Sequence, residues 1–349
     1  MSYNNRLLSL DGLRGIAILA VLAFHYLSRF PEFYPYGNTF SAFGRHGSVG
    51  VQLFFIISGF VIALTLERST SFLSFTIRRF ARLWPPMLVC SLITFVVLAL
   101  IDTPFTNFRR VGVQGFLPSL TFIGPEIWAR LVDGAHWIDG AYWSLFVEVR
   151  FYFWAAVIYW IAPRHLGLTL WVLVLVAAGL HQLPGKASLV VDLLLFPSHI
   201  AYFAAGALFY ELWIGRSGNW RWPALVILAA YSATIVYLAH PAPALVILIL
   251  MSFAGFVALI LRPSLLRLVA AAPLIWVGRR SYSLYLLHQN IGVAMITVAP
   301  IGLSSSSYIL VILTVTLLML CLAHAIFELV ERRSHSIANT VFASLRSAH

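Results

Sequence analysis

Asp11-Gly12-Leu13-Arg14-Gly15-Ile16-Ala17-Ile18-Leu19-Ala20-Val21-Leu22-Ala23-Phe24-His25-Tyr26-Leu27-Ser28 is the stretch on which the fold turns. It is apolar over a length that suits a membrane-spanning helix, yet it holds two ionisable side chains, Arg14 and His25. Their separation of eleven residues is roughly three helical turns with a net rotation of about 20°, so both leave one face, about 16 Å apart along the axis. At that spacing they do not touch. A guanidinium near one membrane surface and an imidazole deeper on the same stripe read as two stations of one site, an anion grip and a proton-handling group, because ionisable groups inside a span are costly. The structural alternative is snorkelling of Arg14 from a helix end and a polar bundle contact by His25.

The remainder of the chain repeats the apolar theme. Of its 349 residues 61% are hydrophobic and 10% charged, with a mean hydropathy of +0.90, which excludes an ordinary soluble domain. An all-α polytopic membrane protein is predicted, and apolar runs continuous over about 17–25 residues disfavour a β-barrel, whose strands alternate over about ten. The first stretch resembles a signal peptide only in position: it carries Arg14 and His25, lacks a small-residue cleavage site, and precedes many further spans, so it reads as retained. The formal charge of +11 does not imply a nucleic-acid partner, since the arginines are spread over short loops where they set topology. Cys90 and Cys321 fall inside expected spans and read as small core residues rather than a disulfide pair or thiol nucleophile.

Ten spans are expected, at 12–28, 48–66, 84–101, 143–162, 167–181, 189–213, 223–240, 244–261, 274–297 and 307–329. The apolar segment 112–127 is interrupted by Pro118, Gly124 and Pro125 and reads as an interfacial or re-entrant part of a long loop, 102–142. With a cytoplasmic N-terminus, sixteen basic residues lie at inner ends, six at outer ends, and Arg150 within a span, the sign the positive-inside rule demands. Both termini are therefore expected in the cytoplasm. No linker, low-complexity tract or internal repeat divides the chain, which predicts a single bundle over 1–335 and a short cytoplasmic tail over 336–349.

Four further clusters bear on chemistry. Gly50-Val51-Gln52-Leu53-Phe54-Phe55-Ile56-Ile57-Ser58-Gly59-Phe60 places small residues where helices approach closely, and the Ser58 hydroxyl can also orient another polar group. Arg78-Arg79-Phe80-Ala81-Arg82-Leu83-Trp84-Pro85-Pro86, expected in the inner loop before the third span, offers several guanidinium forks suited to phosphates, or a polybasic contact with anionic lipid; Trp84 reads as an interface anchor. Trp143-Ser144-Leu145-Phe146-Val147-Glu148-Val149-Arg150-Phe151-Tyr152 opens the fourth span with Glu148, which faces away from Arg150 and is expected to pair with another helix, either as a structural clamp or by orienting and charging His25. Ser281-Tyr282-Ser283-Leu284-Tyr285-Leu286-Leu287-His288-Gln289-Asn290 sets Tyr285 and His288 three residues apart near one face, within reach of a common cavity. His199 and His324 lack such polar neighbours in sequence and read as bundle contacts.

Taken in order with Leu10-Asp11-Gly12-Leu13-Arg14-Gly15 and His25, these segments resemble the acyltransferase 3 family, polytopic membrane enzymes that acylate sugars and related acceptors, over nearly the whole chain. The resemblance implies that 1–335 is an acyltransferase 3 transmembrane domain in a bacterial cytoplasmic (inner) membrane. Arg14 and His25 match the family's arginine–histidine signature, Arg79 and Arg82 its inner-loop pair with Arg78 preceding it, and Glu148 the first glutamate of its Trp-Ser-Leu-Ser-Val-Glu-Glu-Gln-Phe-Tyr run. Val149 and Arg150 replace the next two residues of that run, and Gln52 stands where many relatives carry aspartate. Some relatives append an extracytoplasmic SGNH-type domain; this chain ends soon after the tenth expected span, and none is expected.

The implied activity is transfer of an acyl group, acetyl first, from acetyl-coenzyme A or another acyl-coenzyme A to a hydroxyl of a carbohydrate, glycolipid or similar acceptor. Arg78, Arg79 and Arg82 would take the coenzyme phosphates, with Arg14 deeper along the channel. His25 would act as general base, or as a transient acyl carrier, with Glu148 setting its tautomer and Tyr285, Ser58 or His288 donating to the oxyanion. No metal is required, and the expected partners are the acceptor and membrane lipids, with a homo-oligomer allowed for. A proton-coupled secondary transporter using Arg14, His25, Glu148 and His288 is the alternative of another class, and a membrane scaffold is a third that leaves the polar signatures unexplained. Acceptor choice is expected to lie in the 29–47 and 102–142 loops and the outer bundle cavity.

Overall fold

The computed structural model describes residues 3–182, 185–216, 218–334 and 336–337, so the expected tail lies outside the described residues from 338 onward. Among the described residues all regular structure is helical, and eight helices are long and apolar enough to cross a membrane. The two shortfalls from ten have distinct causes. Leu166–Leu180 is an apolar helix of only fifteen residues, shorter than the roughly 20 needed to cross the hydrocarbon core. The stretch expected as a span at 274–297 is broken into Ala272–Arg279, Ser281–Leu287, a π turn at His288–Gly292, and Val293–Thr297. The span expected at 189–213 is also divided: Lys186–Leu195 ends at Phe196, whose φ is +39°, and Pro197 opens the helix that follows.

A correction concerns the arginine run. The helix expected from residue 84 begins at Phe72 and continues to Leu100, so Arg78, Arg79 and Arg82 lie on a helix and not in a loop. Pro85 and Pro86 lie inside it; each removes one amide hydrogen, so the carbonyls of Ala81 and Arg82 lose their donors while the helix runs on. Phe72 and Phe75 anchor its first turn against Trp160, with ring centroids 5.7 and 6.2 Å apart. Trp84, expected as an interface anchor, donates its indole N–H to the Leu120 carbonyl at 3.1 Å.

That bond shows how deep the 112–127 segment reaches. Arg110 donates to the carbonyls of Leu98 and Ile101, at the end of the Phe72–Leu100 helix, whereas Leu120 sits beside Trp84, sixteen residues or about 24 Å back along it. The chain here forms a 3-10 turn at Val113–Gly115 and the short helix Phe116–Thr121, stopped by Phe122 with φ +54°, before Pro125–Trp128. The segment thus descends alongside a spanning helix without making one.

By packing, the described chain forms two compact units of interleaved segments. The first comprises residues 1–17, 49–75 and 147–276. Its centre is the crossing of Gly50–Arg68 with Pro197–Trp213, where a Cβ on Gly59 would lie 2.1 Å from the Phe203 carbonyl oxygen and one on Gly206 2.1 Å from that of Ile56. In lipid, such small residues let backbones approach and so supply the van der Waals contact that holds helices together. Gly59→Ala or Gly206→Ala is expected to lower stability by about 1–3 kcal/mol through overpacking, read as earlier thermal unfolding in detergent. One end of this crossing is closed by Glu211, which accepts from Gly167 N–H, Arg216 and Arg221, and by Glu67, which accepts from Tyr210 and Arg216.

The second unit comprises 18–48, 76–146 and 277–349. Here Tyr34 donates to the His25 carbonyl and Tyr36 to that of Tyr26, so two hydroxyls from the following loop take carbonyls that the end of Tyr3–Leu27 leaves without helical donors. Ser283 donates to Glu331 at 2.9 Å, and Arg280 donates to His324 Nδ1 at 2.9 Å. His324 thus has a polar neighbour that sequence proximity did not reveal.

Candidate active site

His25 and His288 meet inside the second unit. His288 Nε2 lies 3.2 Å from His25 Nδ1, with the rings edge to face at 74° and centroids 4.8 Å apart. Both are shielded, His25 being 8% exposed and His288 0%. Their backbone partners fix the protons. His288 Nδ1 lies 2.8 Å from the Tyr285 carbonyl, which only accepts, so Nδ1 carries the hydrogen and Nε2 a lone pair. His25 Nδ1 lies 3.0 Å from the Val21 carbonyl, one helical turn back, and faces that lone pair, so it too carries hydrogen, shared between the two acceptors. His25 Nε2 is then the unprotonated nitrogen, the form a proton acceptor requires. His25 Nδ1 thus faces two acceptors, the Val21 carbonyl and His288 Nε2.

The π turn aims His288. Widening the helix by one residue at His288–Gly292 turns this segment out of simple 3.6-residue register, as π turns at functional sites do. Four groups hold it: Tyr26 donates to the His288 carbonyl at 3.0 Å, Tyr142 to that of Leu286 at 3.2 Å, Asn290 Nδ2 to that of Ile138 at 2.8 Å, and Asp139 accepts from Asn290 N–H at 2.8 Å. Asp139, which sequence reasoning missed, is 0% exposed and also accepts from Ala141 N–H at 2.8 Å. Burial pushes its carboxyl up to about 7, against the two backbone N–H groups and Arg109, which pull it down. The available signal was an aspartate just before a helical start, where a carboxylate caps free amides. Gln289, the next residue of the turn, has its side chain near the His25 ring and donates to Asn290 Oδ1 at 3.2 Å.

The expected oxyanion donors have their hydrogens engaged. Tyr285 donates its hydroxyl to the Ala141 carbonyl at 2.9 Å and lies 2.7 Å from Ser144 Oγ. Ser58, in the first unit, donates to Glu148 Oε1, which also accepts from Tyr152 at 2.6 Å. Ser58 and Glu148 are thus brought together, as the polar pairing of that glutamate with another helix requires. Arg14, also in the first unit, lies 3.5 Å from Asp11 one turn back and is 18% exposed at the side chain. Arg78 and Arg82 are four residues apart and share a helix side, with Arg79, 8% exposed, about 100° round. Among the described residues no group of three or more His, Cys, Asp or Glu is placed to hold a metal ion.

Comparison with known proteins decides the lineage of this arrangement. The acyltransferase domain profile of the acyltransferase 3 family matches residues 7–328, nearly the entire chain. The chain belongs to the acyltransferase 3 family. Acyltransferase MdmB of Streptomyces mycarofaciens is 30% identical over 264 residues, 66% of this chain and 64% of that protein. The O-acetyl transferase of Shigella phage Sf6 is 30% identical over 149 residues, 41% and 43% of the two chains. Peptidoglycan O-acetyltransferase OatA of Listeria monocytogenes is 24% identical over 334 residues, 81% of this chain and 49% of the relative. This acyltransferase 3 chain thus spans less than two thirds of each of these relatives. None of the three is named a transporter, and the carrier alternative finds no support. No solved structure matches significantly.

Proposed function

We propose that this protein is a multi-pass O-acyltransferase of the bacterial cytoplasmic membrane, with both termini inside, that moves an acetyl group from cytoplasmic acetyl-coenzyme A to a hydroxyl of a carbohydrate or glycolipid. The observation that supports it most is the pairing of His25 with His288, which leaves His25 Nε2 as a lone pair in a buried site. In the proposed reaction Nε2 takes the hydroxyl proton as the acceptor oxygen bonds to the thioester carbonyl carbon. The tetrahedral intermediate then collapses, the carbon–sulfur bond breaks, and the coenzyme A thiolate recovers the proton from imidazolium. As Nε2 is protonated, His288 Nε2 accepts from Nδ1–H and stabilises the positive ring, the role a carboxylate plays in other triads.

Gln289 is the proposed oxyanion donor, because its amide has a second N–H beyond the one given to Asn290 and its side chain already meets His25. Tyr285 is proposed to act as a positioning residue through its Ala141 bond, and Ser58 and Glu148 as one hydrogen-bonded unit with Tyr152. Arg78, Arg79 and Arg82 are the proposed grip on the coenzyme phosphates, and Arg14 is proposed as a separate anion-binding cation. Arg79→Gln and Arg82→Gln are each expected to raise KM for acetyl-coenzyme A at least tenfold, with kcat changed less than threefold. At least one should also erase the preference over acetyl-dephospho-coenzyme A; an unchanged KM in both variants would remove the grip from the account.

A further inference from the structure

One cation of the second unit has no part in that chemistry. Arg109, from the expected acceptor-side loop 102–142, has its guanidinium carbon 4.9 Å from the Phe30 ring centroid and 5.1 Å from that of Phe108. Two aromatic rings thus hold the group in place and leave its N–H edges as the part that can bind. Its Nε is buried without a hydrogen-bond partner, and among the described residues no carboxylate lies within 4 Å of the guanidinium. Asp139 acts on it only from longer range, its own oxygens being held by the amides of Ala141 and Asn290.

What lies beside Arg109 is the dyad. A Cβ on Gly140 would sit 3.6 Å from Arg109 Nη1 and 2.9 Å from Gln289 Nε2, so both polar groups come close to one point that only glycine leaves open. Gln289 follows His288, the ring that contacts His25, and its side chain lies near His25. Base, amide and cation therefore run in sequence from His25 through Gln289 to Arg109. We infer that Arg109 binds an anionic substituent of the acceptor, a carboxylate or phosphate, and so selects acidic glycans whose hydroxyl then reaches His25. The bidentate N–H fork matches either anion, and charge-assisted bonds in a shielded place outweigh neutral ones. This inference rests on the acyl-transfer reading above.

The test uses the purified full chain, acetyl-labelled acetyl-coenzyme A, and the envelope glycans and secreted glycosides of cells lacking the protein, separated by anion exchange into neutral and acidic fractions. Label is expected in the acidic fraction. Carboxyl reduction of that fraction, or removal of its phosphate with hydrofluoric acid, is expected to cut incorporation at least tenfold, and which treatment does so identifies the anion. Arg109→Gln is expected to raise the half-saturating acceptor concentration at least tenfold with kcat changed less than threefold, and Arg109→Lys to fall between. Label confined to the neutral fraction, insensitivity to both treatments, or a folded Arg109→Gln with wild-type saturation would overturn the anion assignment and leave acyl transfer standing. Label in neither fraction would overturn both readings.

Discussion

His25→Ala is expected to lower acetyl transfer by about a thousandfold or more while the purified protein still elutes from a sizing column in detergent as a single species. General acid–base catalysis contributes roughly 10²–10⁴ in rate, and His25 Nε2 is the lone pair that the hydrogen bonds of the pair leave to accept a proton. Removing the ring also deprives His288 Nε2 of its donor, so the pair should be non-additive: His288→Ala alone costs less, and His25→Ala/His288→Ala no more than His25→Ala. Additive losses in the double variant would show that the two imidazoles act separately.

Asp139→Ala is expected to be the most destabilising substitution in the second unit, by about 2–6 kcal/mol, because it leaves the buried amides of Ala141 and Asn290 without an acceptor. Loss of the Asn290 bond frees the π turn, so activity should fall together with stability. The same residue gives a pH signature. Its folded value near 7 lies above the ordinary 3.8, so between about pH 4 and 7 the folded protein binds more protons than the unfolded chain. Its contribution to stability is therefore greatest below that window and is lost as pH rises through 7. Thermal unfolding in detergent should show this fall, and Asp139→Asn, which does not titrate, should flatten it; an unchanged slope in the variant would assign the pH dependence elsewhere.

Hydropathy made the spanning helices legible because a membrane imposes length and apolarity on each one independently. The pairing of Arg14 and His25 on one helix was legible for the same reason, since Tyr3–Leu27 is unbroken. What lay beyond the sequence was decided by distant partners. Nothing in Leu287-His288-Gln289-Asn290 announces a π turn; Tyr26, Asp139 and the Ile138 carbonyl impose it from elsewhere in the chain. The spacing of Tyr285 and His288 marked both residues, but the partner of His288 lies 263 positions away. The arginine helix was placed too late because the apolar run that marks a span opens only near residue 84, whereas the helix itself begins at Phe72, where Phe72 and Phe75 pack on Trp160. Asp139 escaped notice as a loop carboxylate, a residue type that solvent ordinarily claims.

The most direct measurement follows the acetyl group itself. Purified protein in detergent receives acetyl-coenzyme A labelled in the acetyl carbon, with and without the acceptor glycans, and free thiol and labelled glycan are counted together. The account predicts one coenzyme A released per acetyl ester formed, only when acceptor is present, and neither in His25→Ala. Coenzyme A release at the same rate without acceptor, or ester formation that survives in His25→Ala, would contradict it.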